Sequence, residues 1–300
     1  MLYLRYILVI IFISGTFFSA KSDEGMWLPH LLKIVNESDM KAKGLQITAE
    51  EIYNVNSSSI KDAIVSLNGG GCTAEMISSE GLMLTNHHCA YDEIQSHSSL
   101  KNNYLQNGFW AMTKNEELKN DNLTATFLIS IESVTDRVLS EINEKNFSEK
   151  ERRQKINAIT KTIITEVTEN TNYNAKIKSF FGGNEYYLII YETYKDVRLV
   201  GAPPSSIGKY GGDTDNWMWP RHTGDFTLLR IYMAPDGSPA EYSKDNIPYT
   251  PKHFLPISLD GVENGDFTMI FGYPGRTDRY LTSYGVKEAI EQTGPTIVNI

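Results

Sequence analysis

The sequence predicts a mainly β fold with helical additions, and three observations carry that expectation. Cys72 and Cys89, the only cysteines in 300 residues, bracket a hairpin pattern. Runs of strand-forming residues recur at 124–139, 186–194, 197–200, 225–232 and 253–274. Helical periodicity is confined to a lead-in at 26–68, a charged segment at 148–169 and the stretch from Arg279 onward.

In chain order, residues 1–22 carry Arg5, an apolar run from Tyr6 to Phe18 and then small residues. This is a signal-peptide pattern, with an apolar region too short to span a bilayer comfortably. Ala20-Lys21-Ser22 fits small-x-small cleavage, leaving Asp23 as the new terminus; cleavage after Ala20 and an uncleaved anchor are the competing readings. The expected location is exported, periplasmic or cell-surface, with no stable membrane anchor after cleavage, and export lets a disulfide persist. Between 26 and 68, Trp27, Leu28, Leu31, Leu32 and Ile34 share a helical face, and 49–67 includes a second such segment.

The hairpin follows. Met76-Ile77 and Leu82-Met83-Leu84 are its apolar runs, and Ser78-Ser79-Glu80-Gly81 is its turn, with Gly81 free to take a positive φ. It ends on Thr85-Asn86-His87-His88-Cys89. A Cys72–Cys89 disulfide would close a loop of about 17 residues, contributing ~3 kcal/mol on the chain-entropy estimate. It would also hold His88, which directly precedes Cys89, in the fixed position that general-base chemistry requires. The competing readings are a solvated or core histidine, or a metal site with His87, His97 or Cys72 as further ligands. The spacing matches neither C-x-x-C nor H-x-x-x-H, which disfavours a metal.

Residues 91–109 read as irregular, with Gln95-Ser-His-Ser-Ser as a polar loop. The alternation of Thr124, Phe127, Ile129, Ile131 and Val134 reads as strand. Ser148-x-x-Glu151 is a capping box that opens a helix, with Ile156, Ile159, Ile163 and Val167 at helical spacing. Two strands follow, then a loop from Gly201 to about Asp215. Asp225 immediately precedes Phe226-Thr-Leu-Leu-Arg-Ile-Tyr, which places a carboxylate at the mouth of a strand, where it can accept a histidine Nδ1–H. Asn216 and Trp217 lie nine and eight residues earlier; composition favours Trp217, Met218 and Trp219 as core aromatics under a loop. Gly272-Tyr-Pro-Gly275 reads as a tight turn before the helical tail.

Composition excludes some functions. The formal net charge is −9 with no offsetting basic stripe, which argues against general nucleic-acid binding. The chain is 41% hydrophobic and 11% aromatic, ample for a packed core. The four Asn-x-Ser/Thr matches, at Asn36, Asn56, Asn122 and Asn146, are taken as accidents of an Asn-rich chain.

Four blocks carry a family resemblance: Asp23-Glu24-Gly25-Met26-Trp27-Leu28-Pro29, GGGCTAEMISSEGLMLTNHHCAYDEIQSHSS at 69–99, GGDTDNWMWPRHTGDFTLLRIY at 211–232 and GYPGRTDRYLTS at 272–283. In this order they resemble the bacterial dipeptidyl-peptidase 7 and dipeptidyl-peptidase 11 family of chymotrypsin-like serine exopeptidases, from about residue 23 to the end. The resemblance implies a double β-barrel, incomplete here, with residues 23–276 as the first part of the peptidase domain and 277–300 as the start of an inserted helical domain. It implies that His88 and Asp225 are catalytic. Asn216 and Trp217 are expected to hold the free α-amino group of a peptide substrate, so that dipeptides leave from the amino terminus.

A His-Asp-Ser mechanism needs no cofactor but does need a nucleophilic serine in a Gly-rich turn. Neither G-x-S-G nor G-x-S-x-G occurs, and Pro239 after Ser238 removes an N–H that an oxyanion hole would use. Ser205-Ser206-Ile207-Gly208 is the other near match. In the resembled family the serine lies far downstream, so the sequence reads as the amino-terminal portion of a longer enzyme, inactive alone. The expected partners are peptides with a free amino terminus, and a homodimer is left open. Hydrophobic and acidic side-chain preferences both stay open. The rival functions are an inactive peptide-binding module and an exported chymotrypsin-type endopeptidase.

Overall fold

The computed structural model describes residues 26–143, 147–275 and 281–299. The expected signal peptide lies outside the described residues. Among the described residues, eleven strands form one antiparallel sheet: β1 Ile64–Leu67, β2 Cys72–Met76, β3 Leu82–Thr85, β4 Phe109–Trp110, β5 Leu118–Lys119, β6 Ala125–Ser133, β7 Tyr173–Phe180, β8 Glu185–Tyr194, β9 Asp196–Ala202, β10 Thr227–Met233 and β11 Ile247–Pro248. The order is β4-β9-β10-β3-β2-β1-β6-β8-β7, with β5 beside β9 and β11 beside β10.

The sheet curls on itself because β8 and β9 are nearly one strand. Only Lys195 separates them, yet β8 pairs with β6 and β9 pairs with β10, which are well separated in the strand order. Inward-facing Val65, Met76, Met83, Phe127, Tyr194, Val197, Leu199, Leu229 and Ile231 meet in a single core. Full burial of side chains of this size contributes roughly 1.5–3 kcal/mol each. Gly81 is required at the β2–β3 turn for two reasons. Its φ is +70°, and a Cβ there would lie 2.6 Å from the Ile231 carbonyl oxygen.

The central helix Glu149–Thr168 forms as read, with Ser148 and Glu151 completing the capping box. Its apolar side packs on the helix Thr135–Asn143 and on β7 and β8, a second core built from Val138, Ile142, Ile163 and Leu188.

Four sequence expectations need correction. The strand expected over 124–139 ends at Ser133, and Thr135–Asn143 is helical. Val134, Val138 and Ile142 recur every four residues, a helical spacing that overrides the preceding alternation. The helical lead-in breaks into Leu32–Val35, Glu37–Ala42 and Ala49–Ile52, and 64–67 is β1. That short run is buried at every position between β2 and β6, so pairing partners decide its conformation. The stretch expected to be irregular after Cys89 holds the helices Tyr91–His97 and Tyr104–Asn107, with Ile94 fully buried.

Residues 253–274 were expected to be strand-rich and contain no strand among the described residues. Ile257, Leu259, Val262 and Ile270 are exposed there, so no ladder partner or buried face exists to hold them in a sheet. This segment is tied to β2 at its two ends, where Leu255 N–H donates to Met76 O at 2.8 Å and Tyr273 N–H donates to Thr73 Oγ1 at 2.8 Å. The tail is helical at Ser283–Glu288 and Gly294–Val298. No helix among the described residues is long and apolar enough to cross a membrane.

Candidate active site

The site grows out of the β3–β10 ladder. Thr85 pairs with Thr227 at the ladder's last rung, so the continuations 86–88 and 224–226 leave the sheet side by side. The chain then turns at His88–Ala90 in a single 3-10 turn, which points the His88 N–H back toward β10. Asp225 receives that N–H on Oδ1 at 3.0 Å and faces His88 Nδ1 with Oδ2 at 2.7 Å. Asn86 Nδ2 donates to the Asp225 carbonyl at 3.0 Å, closing the arrangement from the other side.

These contacts fix a tautomer. An ionised carboxylate only accepts, so Nδ1 carries the ring proton and Nε2 is left with its lone pair. The Asp225 side chain is 16% exposed and that of His88 is 68% exposed, so the carboxylate is sheltered beneath a ring whose Nε2 edge is accessible. An imidazole of this kind can take a proton at Nε2 and be stabilised as imidazolium by the carboxylate.

Cys72 at the start of β2 and Cys89 form a disulfide with Cα atoms 6.0 Å apart. It ties the residue after His88 to the neighbouring strand. Both sulfurs lie near the His88 ring, but oxidation leaves them no thiolate to offer a metal. Thr85 Oγ1 donates to Thr73 O at 2.8 Å, and Thr73 in turn receives Tyr273, so β2, β3 and the Gly272-Tyr-Pro-Gly275 turn brace one another.

The Peptidase S46 family matches residues 22–300. The chain belongs to the Peptidase S46 family. It is 54% identical over 277 residues to an Asp/Glu-specific dipeptidyl-peptidase of Flavobacterium psychrophilum, covering 92% of this chain and 38% of that protein. It is 49% identical over 278 residues to a dipeptidyl-peptidase 7 of Capnocytophaga gingivalis, covering 93% of this chain and 39% of the relative. The crystal structure of Porphyromonas endodontalis DPP11 superimposes with a TM-score of 0.79 at 45% identity, over 89% of this chain and 38% of that one. Its complex with the dipeptide Arg-Asp gives a TM-score of 0.82 at 45% identity, over 90% and 39% of the two chains. The S46 chain therefore spans about 38% of the length of these relatives.

Within this S46 chain the remaining expected site residues sit in the loop that leads into Asp225. Asn216 accepts from Arg221, and Trp217 is 93% exposed. Neither has a described contact with His88 or Asp225. Trp217, Met218 and Trp219 are all exposed rather than core, because consecutive turns over 210–217 carry them away from the sheet. His97, read as part of a polar loop, instead closes the helix Tyr91–His97 with Nε2 3.0 Å from Asn120 Oδ1.

The sequence offers His87 only as a possible metal ligand, not as a buried support of the site. Its ring is buried beside His88, and burial holds its pKa below the ordinary value, opposed by the nearby Asp225 carboxylate. The His-His doublet was visible, but nothing local says which ring turns inward. Asn86 and the Trp110–Phe226 ring pair, centroids 6.2 Å apart, were missed; Phe226 is the residue after Asp225.

Proposed function

We propose that this chain supplies the general-base half of a serine-type dipeptidyl-peptidase that releases dipeptides from the free amino terminus of peptides. The observation that carries this reading is the 2.7 Å contact between His88 Nδ1 and Asp225 Oδ2, with the second carboxylate oxygen on the His88 N–H. A serine outside residues 1–300 gives its proton to His88 Nε2 as its oxygen attacks the scissile carbonyl. The imidazolium, stabilised by Asp225, returns the proton to the leaving amine, and water then hydrolyses the acyl-enzyme by the same route.

In this reading Asn216 and Trp217 hold the substrate's α-amino group, which limits cleavage to the second peptide bond. The curled sheet corresponds to the first barrel of a chymotrypsin-like double barrel, consistent with the superposition on a dipeptidyl-peptidase structure. Residues 277–300 begin an inserted helical domain. Residues 1–22 direct export, to the periplasm or the cell surface, where the Cys72–Cys89 bridge is maintained. One named relative is Asp/Glu-specific, so acidic residues before the cleaved bond are compared with the hydrophobic ones that the sequence also leaves open.

Fluorogenic dipeptidyl amides of both classes, offered to the full-length polypeptide with free and acetylated amino termini, test this. Release of fluorophore from the free forms alone supports the proposal. Equal turnover of the acetylated forms would instead indicate an endopeptidase, and binding without turnover an inactive module.

A further inference from the structure

The loop that carries Asn216 and Trp217 is closed at its base. Gly224 N–H donates to Ile207 O at 3.0 Å, and Thr223 Oγ1 lies 3.2 Å from the carbonyl oxygens of both Ile207 and Gly208. Ile207 packs so closely on Gly224 that a Cβ there would lie 2.7 Å from its Cγ2. The two ends of the loop thus form one neck, and Asp225 is the next residue along the chain.

The neck rests on His87. A Cβ on Gly208 would lie 2.4 Å from both Cγ and Cδ2 of the His87 ring, so the imidazole lies directly against the Gly208 backbone. The residue is 1% exposed, its Nε2 is buried without a hydrogen-bond partner, and the Tyr91 ring approaches the imidazole edge-on at 6.4 Å. His87 precedes His88 in the chain, and its carbonyl accepts the Ala90 N–H in the turn that presents His88. One buried ring therefore touches the base of the loop while its backbone forms part of the mount of His88.

We infer that His87 is a positioning residue that locks the loop neck to the end of β3, so that the site for the substrate amino group and the His88–Asp225 pair keep one fixed separation. The inference rests on the dipeptidyl-peptidase reading above. It adds that the distance from amino-group site to base, which decides where the peptide is cut, is set by the His87–Gly208 contact. His87 itself touches neither substrate nor nucleophile.

Gly208 has a φ that tolerates a side chain, so Gly208→Ala perturbs this contact without backbone strain. In the full-length polypeptide, two rates are compared. One is kcat/KM for a dipeptidyl amide with a free amino terminus. The other is covalent labelling by diisopropyl fluorophosphate, which needs the nucleophile and His88 but has no amino group to anchor. We expect Gly208→Ala to lower kcat/KM by about 10- to 100-fold while labelling stays within about twofold of wild type. The double variant His87→Ala/Gly208→Ala, in which the methyl occupies space vacated by the ring, should recover part of the lost peptide turnover. If both rates fall together, or neither changes, the coupling is overturned while dipeptide release by the wild type stands. A wild-type enzyme that is labelled but releases no dipeptide overturns the underlying reading and the coupling with it.

Discussion

Thr85 and Thr227 face each other across the last rung of the β3–β10 ladder, and the His88–Asp225 pair forms just beyond that rung. The geometry of the pair is therefore inherited from strand register. A slip of one residue would turn the inward positions of β10 outward and carry Asp225 away from His88. Thr85 is also fastened to β2 through its hydroxyl, so three strands set the position of one ring.

Asp225→Asn keeps the size of the side chain but removes the charge that holds the Nδ1–H tautomer. Turnover in the full-length polypeptide should fall on the order of 10⁴-fold, as for the aspartate of a Ser-His-Asp triad. Steady-state kinetics alongside an unchanged circular dichroism spectrum checks this.

The double variant Cys72→Ser/Cys89→Ser should lose about 3 kcal/mol of stability through release of the 17-residue loop. Urea denaturation of the oxidised wild type, the reduced wild type and the variant measures it. The reduced wild type and the variant should coincide.

The buried His87 and the half-buried His30 predict an acid-sensitive fold. Burial lowers the pKa of His87, opposed by Asp225, and burial lowers that of His30, opposed by Glu185. Below the ordinary value of 6.5 the unfolded chain takes up protons that the folded chain refuses, so stability falls as pH drops. Glu75 and Glu93 act in the opposite sense, because burial raises their pKa values. Denaturation midpoints measured from pH 7.5 to 5.5 should therefore fall less steeply in His87→Phe and in His30→Phe than in wild type.

Much of the pair was legible because each half is a local string. His88 is attached to a half-cystine at a hairpin end, and Asp225 opens a strand. The capping box at Ser148 and Glu151 is equally local. The misread elements depend on distant partners. β1 takes its conformation from β2 and β6, and Ile94 is buried through contacts that no neighbouring residue announces. The apolar residues of 253–274 have strand composition but no strand beside them. The His87–Gly208 contact joins residues more than a hundred positions apart, and a histidine doublet reveals nothing about which ring a distant glycine will receive.

Asn216→Ala probes the loop itself. It should lower kcat/KM for dipeptidyl amides with a free amino terminus by about 10-fold or more, through loss of a hydrogen bond to a charged group. Residual turnover of acetylated analogues should be unchanged. An equal loss on both would remove Asn216 from amino-group recognition.

The most direct measurement follows the products of one peptide of known sequence by mass spectrometry, with the full-length wild type and with His88→Ala. Successive loss of dipeptide masses from the free amino terminus, absent in His88→Ala and absent when the peptide is acetylated, is the predicted result. Internal fragments from the acetylated peptide, or undiminished dipeptide release by His88→Ala, would contradict the account.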